Sequence, residues 1–351
     1  MKFAPIIYLI GMLLCILSLF MLVPAFVDWF YGGENWPAFV GSSISTLFVG
    51  LILFFSNKGS ATEHLELRQA FLLTNSAWIS IALFGSLPFL LSNIEMRFID
   101  AFFESTSGIT TTGATVIENL EAKSHGILIW RALLQWLGGV GIIVMALAVL
   151  PMLSIGGMQL FKTESYETPD KVVPKAASFA AGISIVYITL TIIWAFMLWG
   201  AGMPIFDSIA HAMTTLATGG YSTKSESLAA FNSSSIEIII IFGMLVGSLP
   251  FVHYLTLSKN GLKNLIKDDQ VKLFLTFVFF VVLIMSLYLS SNNIPYLEAL
   301  RLASFNVISI ITGTGFGTSD FSNWGGFPTT ILLILCLLYT SPSPRDQRGS
   351  R

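Results

Sequence analysis

The chain has 351 residues, of which 54% are hydrophobic and 11% are charged, with a formal net charge of −2. This composition is typical of a membrane protein with several spanning helices and excludes an ordinary soluble domain. Without a basic block, a nucleic-acid partner is not expected. Cys15 and Cys336 lie in apolar runs and predict neither a disulfide nor a metal site.

Apolar runs long enough to cross a bilayer recur along the chain. They cover residues 6–27, 39–55, 70–91, 127–150, 179–199, 236–257 and 271–289. Shorter runs suit helices that do not cross, and they cover residues 100–109, 206–216 and 295–311. Asp100 is predicted to cap the first short helix. Gly138 to Gly141, inside a long run, should let neighbouring helices approach closely.

A segment rich in threonine and glycine accompanies each short run. The copies are residues 107–115, 214–222 and 309–317, and they align without a gap when Gly113, Gly220 and Gly315 share one column. Glycine can adopt positive φ, so successive carbonyls can turn toward one axis, and threonine adds oxygens without charge. Rings of carbonyls replace the hydration shell of the ion in potassium filters. The pattern predicts a cation path, and the alternative is a set of plain connecting loops.

These segments carry a family resemblance. Thr110–Thr115, Ala217–Ser222 and Gly313–Thr318 resemble the first three pore loops of Trk/Ktr-type potassium transporters. The chain is most similar to the Trk-type (TrkH-like) membrane subunit, over about residues 1–338. The resemblance implies an all-α polytopic membrane protein built from potassium-channel-like units of helix, pore helix, filter loop and helix. The family has four units per chain, and three are visible here, preceded by an N-terminal helix pair.

This resemblance divides the chain into five parts. They are the N-terminal transmembrane helix pair at 1–68, pore repeats at 69–160 and 161–262, an incomplete repeat at 263–338, and a tail at 339–351. The last apolar run passes after about ten residues into Pro342, Pro344 and Arg345, too soon for a spanning helix. We therefore expect the tail to be foreign and the sequence to be truncated at its C-terminus.

The function implied is potassium uptake across the bacterial cytoplasmic membrane, with potassium as substrate and no cofactor. The filter is expected to use Thr111, Thr112, Gly113, Thr218, Gly219, Gly220, Gly313, Thr314 and Gly315. The family also implies a homodimer in the lipid bilayer, gated by a cytosolic nucleotide-binding subunit. The alternative is a secondary transporter of another fold with glycine-broken helices. No catalytic constellation is visible in the sequence, so an enzyme is not expected.

Charged and polar residues within the runs complete the predictions. Glu104 and Arg131 are expected to form a structural ion pair, because a membrane-embedded charge usually has a partner. A direct role of these charges in ion conduction is the alternative. His211 lies in the second short run and could hydrogen-bond a neighbouring loop.

With the N-terminus inside, ten Lys/Arg residues lie on the inner side and four on the outer, which favours a cytoplasmic N-terminus.

Overall fold

The computed structural model describes residues 3–60, 67–153, 172–251, 253–255 and 268–340, and the regular elements in these ranges are all helical. This confirms the predicted all-α fold class. The chain divides into two compact units, Met1–Leu153 and Ser154–Arg351.

The first unit begins with long apolar helices and ends with one. Its helices are α1 (Ala4–Phe20), α2 (Leu22–Phe30), α3 (Trp36–Ser56), α4 (Leu67–Gly85), α5 (Leu87–Leu91), α6 (Phe98–Ile109) and α7 (His125–Leu153). Proline occupies the first turn of α1, α3 and α5, where a missing N–H costs nothing. The short α6 lies between the apolar stretch formed by α4 and α5 and the long helix α7, in the order that the sequence predicts.

The second unit contains the same order of long helix, short helix, loop and helix. Its helices are α8 (Val172–Gly200), α9 (Ile205–Leu216), α10 (Ser234–Ser248), α11 (Asp269–Ser291), α12 (Tyr296–Ile311) and α13 (Gly326–Thr340). With 12 residues each, α6 and α9 are about 18 Å long, well short of the roughly 30 Å hydrocarbon core of a bilayer. Both therefore suit helices that enter a membrane without crossing it.

Several helical stretches have the length and apolar composition of membrane spans. Among the described residues, five qualify, and they are Ala4–Phe30, Trp36–Ser56, Arg68–Leu91, Ala180–Gly200 and Asp269–Ser291. Their large hydrophobic side chains include many exposed ones, such as Phe26, Phe48 and Phe279. An apolar exterior of this kind fits a lipid environment.

The N-terminal helix pair is tied to the rest of the first unit by a buried carboxylate. Asp28 at the end of α2 accepts hydrogen bonds from the backbone N–H groups of Asn35 (2.8 Å) and Gly126 (3.0 Å). Tyr31 stacks on His125 with ring centroids 4.1 Å apart. These contacts hold the α2–α3 corner against the start of α7.

The structure corrects two sequence predictions. Asp100 does not cap α6, because the helix begins at Phe98 and Asp100 instead pairs with Arg97 in the first turn. The predicted span at residues 236–257 is not continuous, because α10 ends at Ser248. Pro250 causes this break, since proline disfavours helical geometry in the preceding residue, and Leu249 is extended. Of the foreign tail predicted at 339–351, residues 339 and 340 belong to α13, and residues 341–351 lie outside the described residues.

Candidate functional site

The connection after each short helix adopts one backbone form. We call residues 110–115 loop one, 217–222 loop two and 312–317 loop three. In loop one, φ is 56° at Thr111 and 81° at Gly113. The same two positions have φ of 49° and 72° in loop two (Thr218, Gly220) and 73° and 85° in loop three (Gly313, Gly315). Alignment on one glycine per loop therefore superposes two left-handed positions.

Backbone hydrogen bonds show which way the peptide groups of these loops point. In loop one, the N–H groups of Thr111 and Thr112 donate to the carbonyls of Gly108 (3.0 Å) and Ser107 (2.9 Å) in the last turn of α6. In a trans peptide the carbonyl points opposite to the following N–H. The carbonyls of Thr110 and Thr111 therefore point away from the helix that precedes them.

Loop two repeats this arrangement, and loop three has a similar one in which the second donor lies one residue later. The N–H groups of Thr218 and Gly219 donate to carbonyls in the last turn of α9, at 3.0 and 2.9 Å. The N–H groups of Gly313 and Gly315 donate likewise to α12, at 3.1 and 3.2 Å. Each loop thus offers uncharged carbonyl oxygens on the side away from its helix, which is the ligand type that dehydrated alkali cations take.

Hydroxyl groups of the loops themselves and of the last turn of the short helices stabilise loops one and three. Ser107 Oγ donates to the Ala114 carbonyl at 2.6 Å, and Ser309 Oγ donates to the Phe316 carbonyl at 2.7 Å, both one residue beyond the aligned glycine. Two threonine hydroxyls lie 2.8 Å apart in each of these loops. The pairs are Thr110 with Thr112 and Thr312 with Thr314. Loop two has Ala217 and Gly219 at those two positions, so it is braced differently.

Loops two and three lie against each other within the second unit. A Cβ added at Gly220 would collide with the Thr314 carbonyl oxygen. Beyond the glycines, the Leu228 N–H donates to the Gly317 carbonyl and the Gly317 N–H donates to Ser227 Oγ, both at 3.2 Å. The structure therefore brings the predicted residues 218–220 and 313–315 together. The remaining predicted residues, 111–113, belong to the first unit.

The helix that follows each of the first two loops passes very close to the preceding short helix. A Cβ at Gly138 in α7 would collide with the Ile109 carbonyl oxygen at the end of α6. At the matching place in the second unit, a Cβ at Gly247 would lie 3.0 Å from the Leu216 carbonyl oxygen at the end of α9. Glycine thus allows the helix that follows the loop to pack closely against the end of the short helix, as predicted for Gly138.

Glu104 and Arg131 contact each other behind loop one. Arg131 Nε donates to Glu104 Oε1 at 2.7 Å, and the two side chains are 1% and 0% exposed. Glu104 also accepts hydrogen bonds from Thr115 Oγ1 (2.9 Å) and the Val116 N–H (3.0 Å). The carboxylate therefore links α6, α7 and the segment after loop one. Charge-assisted hydrogen bonds are stronger than neutral ones, so this network is suited to the structural role predicted for the pair.

Sequence reasoning missed two features of this site. The left-handed conformation at Thr111 and Thr218 is invisible in these residues, because threonine rarely has positive φ. Only Gly313, at the same position in loop three, signals it. The second feature is a column of buried polar residues in the short helices, whose residue types differ among the three copies.

Long apolar helices, short helices that end before spanning, and carbonyl-rich loops braced from behind define a membrane protein that transports cations. Comparison with known proteins agrees: residues 36–344 match the family model described as TrkH, cation transport protein. The chain belongs to the TrkH family. It is therefore a multi-pass membrane transporter that works within a Trk system, and not an enzyme.

The relatives of this chain are longer proteins of the same kind. The Trk system potassium uptake protein TrkH of Salmonella typhimurium is 37% identical over 339 residues, which are 95% of this chain and 70% of the relative. TrkI of Halomonas elongata is 36% identical over 325 residues, which are 92% of this chain and 66% of the relative. The chain thus spans about two thirds of the length of these relatives.

A solved structure has the same fold. The crystal structure of the potassium transporter TrkH from Vibrio parahaemolyticus superposes with a TM-score of 0.87 at 35% sequence identity, covering 95% of this chain and 70% of that one. The alternative of a transporter with another fold, built on glycine-broken helices, is therefore wrong.

Proposed function

We propose that this chain takes up potassium across the bacterial cytoplasmic membrane through a pore whose filter is made of backbone carbonyls. The observation that carries the proposal is the shared backbone of the three loops, with left-handed residues at two matched positions and N–H groups turned back to the short helix. Relatives that are Trk potassium uptake proteins support potassium as the ion. Potassium is then the substrate, and no cofactor is required.

The filter residues follow from this proposal. Carbonyls near the aligned glycine of each loop would replace the hydration shell of potassium. The residues proposed are Thr111, Thr112, Gly113, Thr218, Gly219, Gly220, Gly313, Thr314 and Gly315. The proposed pore repeats are 69–160, 161–262 and 263–338, and a fourth, which the longer relatives have room for, would complete the ring.

The working assembly is proposed from the family. The chain would function as a homodimer in the lipid bilayer, gated by a cytosolic nucleotide-binding subunit, with its own N-terminus in the cytoplasm. The excess of Lys and Arg in the inner segments supports this orientation. Labelling of single cysteines placed at Lys2 and at Lys123, from either side of the membrane, tests it directly, because the proposal places these positions on opposite sides.

Uptake assays test the function. The chain is expressed in a bacterial host that lacks its own potassium uptake, alone and as residues 1–338 replacing the matching segment of the Salmonella relative. We expect the chimera, which contains the fourth repeat of the relative, to support growth at low potassium and to prefer potassium over sodium, whereas the chain alone lacks the fourth repeat that would complete the ring. Gly113→Ser should lower that preference, since Gly113 has φ of 81° and a side chain there would distort the loop.

The matched control is Gly41→Ser. Gly41 lies in α3, and a Cβ there would meet nothing within 4 Å. This variant should transport as well as the unsubstituted protein. No potassium uptake in either protein would overturn the proposed function. Normal uptake and ion preference in Gly113→Ser would overturn the filter assignment.

A further inference from the structure

One position in each short helix carries a buried polar side chain that sequence comparison of the loops alone does not reveal. Counting back nine residues from the aligned glycines Gly113, Gly220 and Gly315 leads to Glu104, His211 and Asn306 (113 − 104, 220 − 211 and 315 − 306). Their exposed fractions are 0%, 0% and 1%. A carboxylate, an imidazole and an amide share no chemistry beyond hydrogen bonding, so their common place in the fold calls for a common task.

All three side chains reach the segment that follows the aligned glycine. Glu104 accepts from Thr115 Oγ1 and the Val116 N–H, two and three residues beyond Gly113. His211 Nε2 lies 3.0 Å from Ser222 Oγ, two residues beyond Gly220. Asn306 Nδ2 lies 3.3 Å from both Thr318 Oγ1 and Ser319 Oγ, and one of its two N–H groups can donate to either hydroxyl. Each side chain therefore ties the segment that follows the aligned glycine to the short helix that precedes the loop.

Each of these side chains has a second contact that restrains it. Glu104 is fixed by Arg131, and Asn306 Nδ2 also donates to the Leu302 carbonyl at 2.9 Å. His211 Nδ1 lies 2.8 Å from the Asp207 carbonyl oxygen. Because a carbonyl can only accept, Nδ1 carries the proton, and Nε2 of the neutral ring accepts from the Ser222 hydroxyl. These side chains thus act as braces whose own positions are fixed by a second hydrogen bond.

His211 is the brace with the widest reach. Its ring contacts Phe316, the residue that follows Gly315 in loop three, with centroids 5.9 Å apart, and it meets Phe231 edge-on at 5.3 Å. Next to it, Asp207 Oδ1 accepts from Thr223 Oγ1 at 2.7 Å. The Ser222 hydroxyl also accepts from the Lys224 N–H at 3.0 Å. The imidazole of His211 therefore holds the C-terminal end of loop two and packs against loop three.

Loop two depends on this brace because its internal bracing differs. Ala217 and Gly219 replace the threonine pair of the other loops. Thr214, at the position of Ser107 and Ser309, directs its hydroxyl to the Ala210 carbonyl of its own helix at 3.1 Å. The constraint that hydroxyls supply within loops one and three comes, in loop two, from His211 and Asp207 behind it.

We propose that Glu104, His211 and Asn306 are positioning residues that set the ion selectivity of their loops, with His211 governing loops two and three. This inference rests on the proposed function. A site that discriminates between similar ions needs its ligands held to within about 0.5 Å by supporting hydrogen bonds. A loop that is no longer held after its aligned glycine can close around the smaller sodium ion. Removing the brace should therefore lower the selectivity of the protein before it prevents the protein from folding.

The test compares His211→Leu with His211→Gln in the uptake assay, at equal amounts of protein in the membrane. Leucine removes the hydrogen bond to Ser222, whereas glutamine keeps a polar tip of similar reach. Loss of a hydrogen bond worth about 1 kcal/mol corresponds to about a fivefold fall in the preference for potassium over sodium. We expect that fall in His211→Leu and its rescue in His211→Gln.

Two further variants keep the test decisive. Ser286→Ala, in α11, removes an equally buried hydroxyl that donates to the Leu283 carbonyl of its own helix at 2.9 Å, and it should leave selectivity unchanged. Ser222→Ala breaks the hydrogen bond from the loop side and should reproduce the effect of His211→Leu even if that variant folds poorly.

The outcomes separate the two proposals. If the unsubstituted protein takes up no potassium, the proposed function fails. If it is selective for potassium, and either His211→Leu or a well-expressed Ser222→Ala keeps the same selectivity, the positioning role is wrong and the function stands. A fall in total uptake without any change in ion preference also contradicts the positioning role.

Discussion

Removing one member of the buried Glu104–Arg131 pair should destabilise the first unit more than removing both. Glu104→Gln leaves the guanidinium of Arg131, which is 1% exposed, without its carboxylate. Arg131→Gln removes the guanidinium that lies 2.7 Å from the carboxylate of Glu104, which is 0% exposed, while Thr115 and Val116 still donate to that carboxylate. An uncompensated buried charge costs about 3–5 kcal/mol, and charges inside a bilayer carry a similar penalty.

The double variant, Glu104→Gln with Arg131→Gln, removes both charges at once. Two facing glutamines of similar length can still hydrogen-bond, and the new amide oxygen at position 104 can accept from the Val116 N–H. We therefore expect the double variant to recover at least half of the worse single loss. The assay is the thermal unfolding midpoint of purified protein in one detergent. At about 3 kcal/mol, a single loss should lower the midpoint by several degrees in a unit of this size.

The control for this experiment is another ion pair with the same distance but a different environment. Arg97 Nε and Asp100 Oδ2 also lie 2.7 Å apart, and their side chains are 84% and 27% exposed. The Arg97 guanidinium lowers the pKa of Asp100, but water screens the pair, so Asp100→Asn should leave the midpoint unchanged. The reasoning is refuted if the double variant is no more stable than the worse single variant.

Two further predictions concern the third proposed pore repeat, residues 263–338. Gly313→Thr should keep uptake and selectivity, because threonine already occupies the matching left-handed position in loops one and two, whereas Gly315→Thr, at φ of 85°, should lose both. The uptake assay compares the two, and equal loss would contradict the shared backbone. Asp268→Ala should lower stability by about 1 kcal/mol, because Asp268 caps α11 by accepting from two backbone N–H groups. The hydrogen bond from Val271 lowers the pKa of Asp268, so the cap persists above the ordinary aspartate pKa and is lost as pH falls through the lower value of the folded protein. Asp269→Ala, next in the chain and 96% exposed, is the control, and unfolding midpoints that match at neutral pH would contradict the cap.

Hydrophobic length predicted most of the fold because it is a property of whole segments. The short helices predicted at 100–109 and 206–216 are found at Phe98–Ile109 and Ile205–Leu216. Boundaries decided by single residues were harder. Asp100 was predicted to be a cap but pairs with Arg97, whereas Asp268, which was not predicted to be a cap, is one with two hydrogen bonds. A capping residue is recognised by its backbone, which residue type alone does not reveal.

The sequence predicted the candidate site at positions where the residue type itself indicates the backbone conformation. Glycine marks the aligned column because all three loops need positive φ there. The position two residues earlier needs it as well, but only loop three uses glycine, and the other loops place threonine in a conformation that costs about 1–2 kcal/mol. Hydrogen bonds to the helix ends offset that cost, and they depend on tertiary structure that no local pattern encodes.

The three loops therefore share a backbone and not a set of side chains. Ser107 and Ser309 brace the residue after the glycine with a hydroxyl, whereas loop two relies on His211 and Asp207 behind it. If the ion is bound by backbone carbonyls, the positions of those carbonyls matter and the side chains that hold them do not. Different side chains can then hold the backbone of the three loops equally well. The three loops share glycine in one column because all three residues there have positive φ, and at Gly220 a Cβ would also meet the Thr314 carbonyl. Selectivity would then be a property of how firmly each loop is held, and the residues that hold it lie about nine positions upstream, inside the short helices.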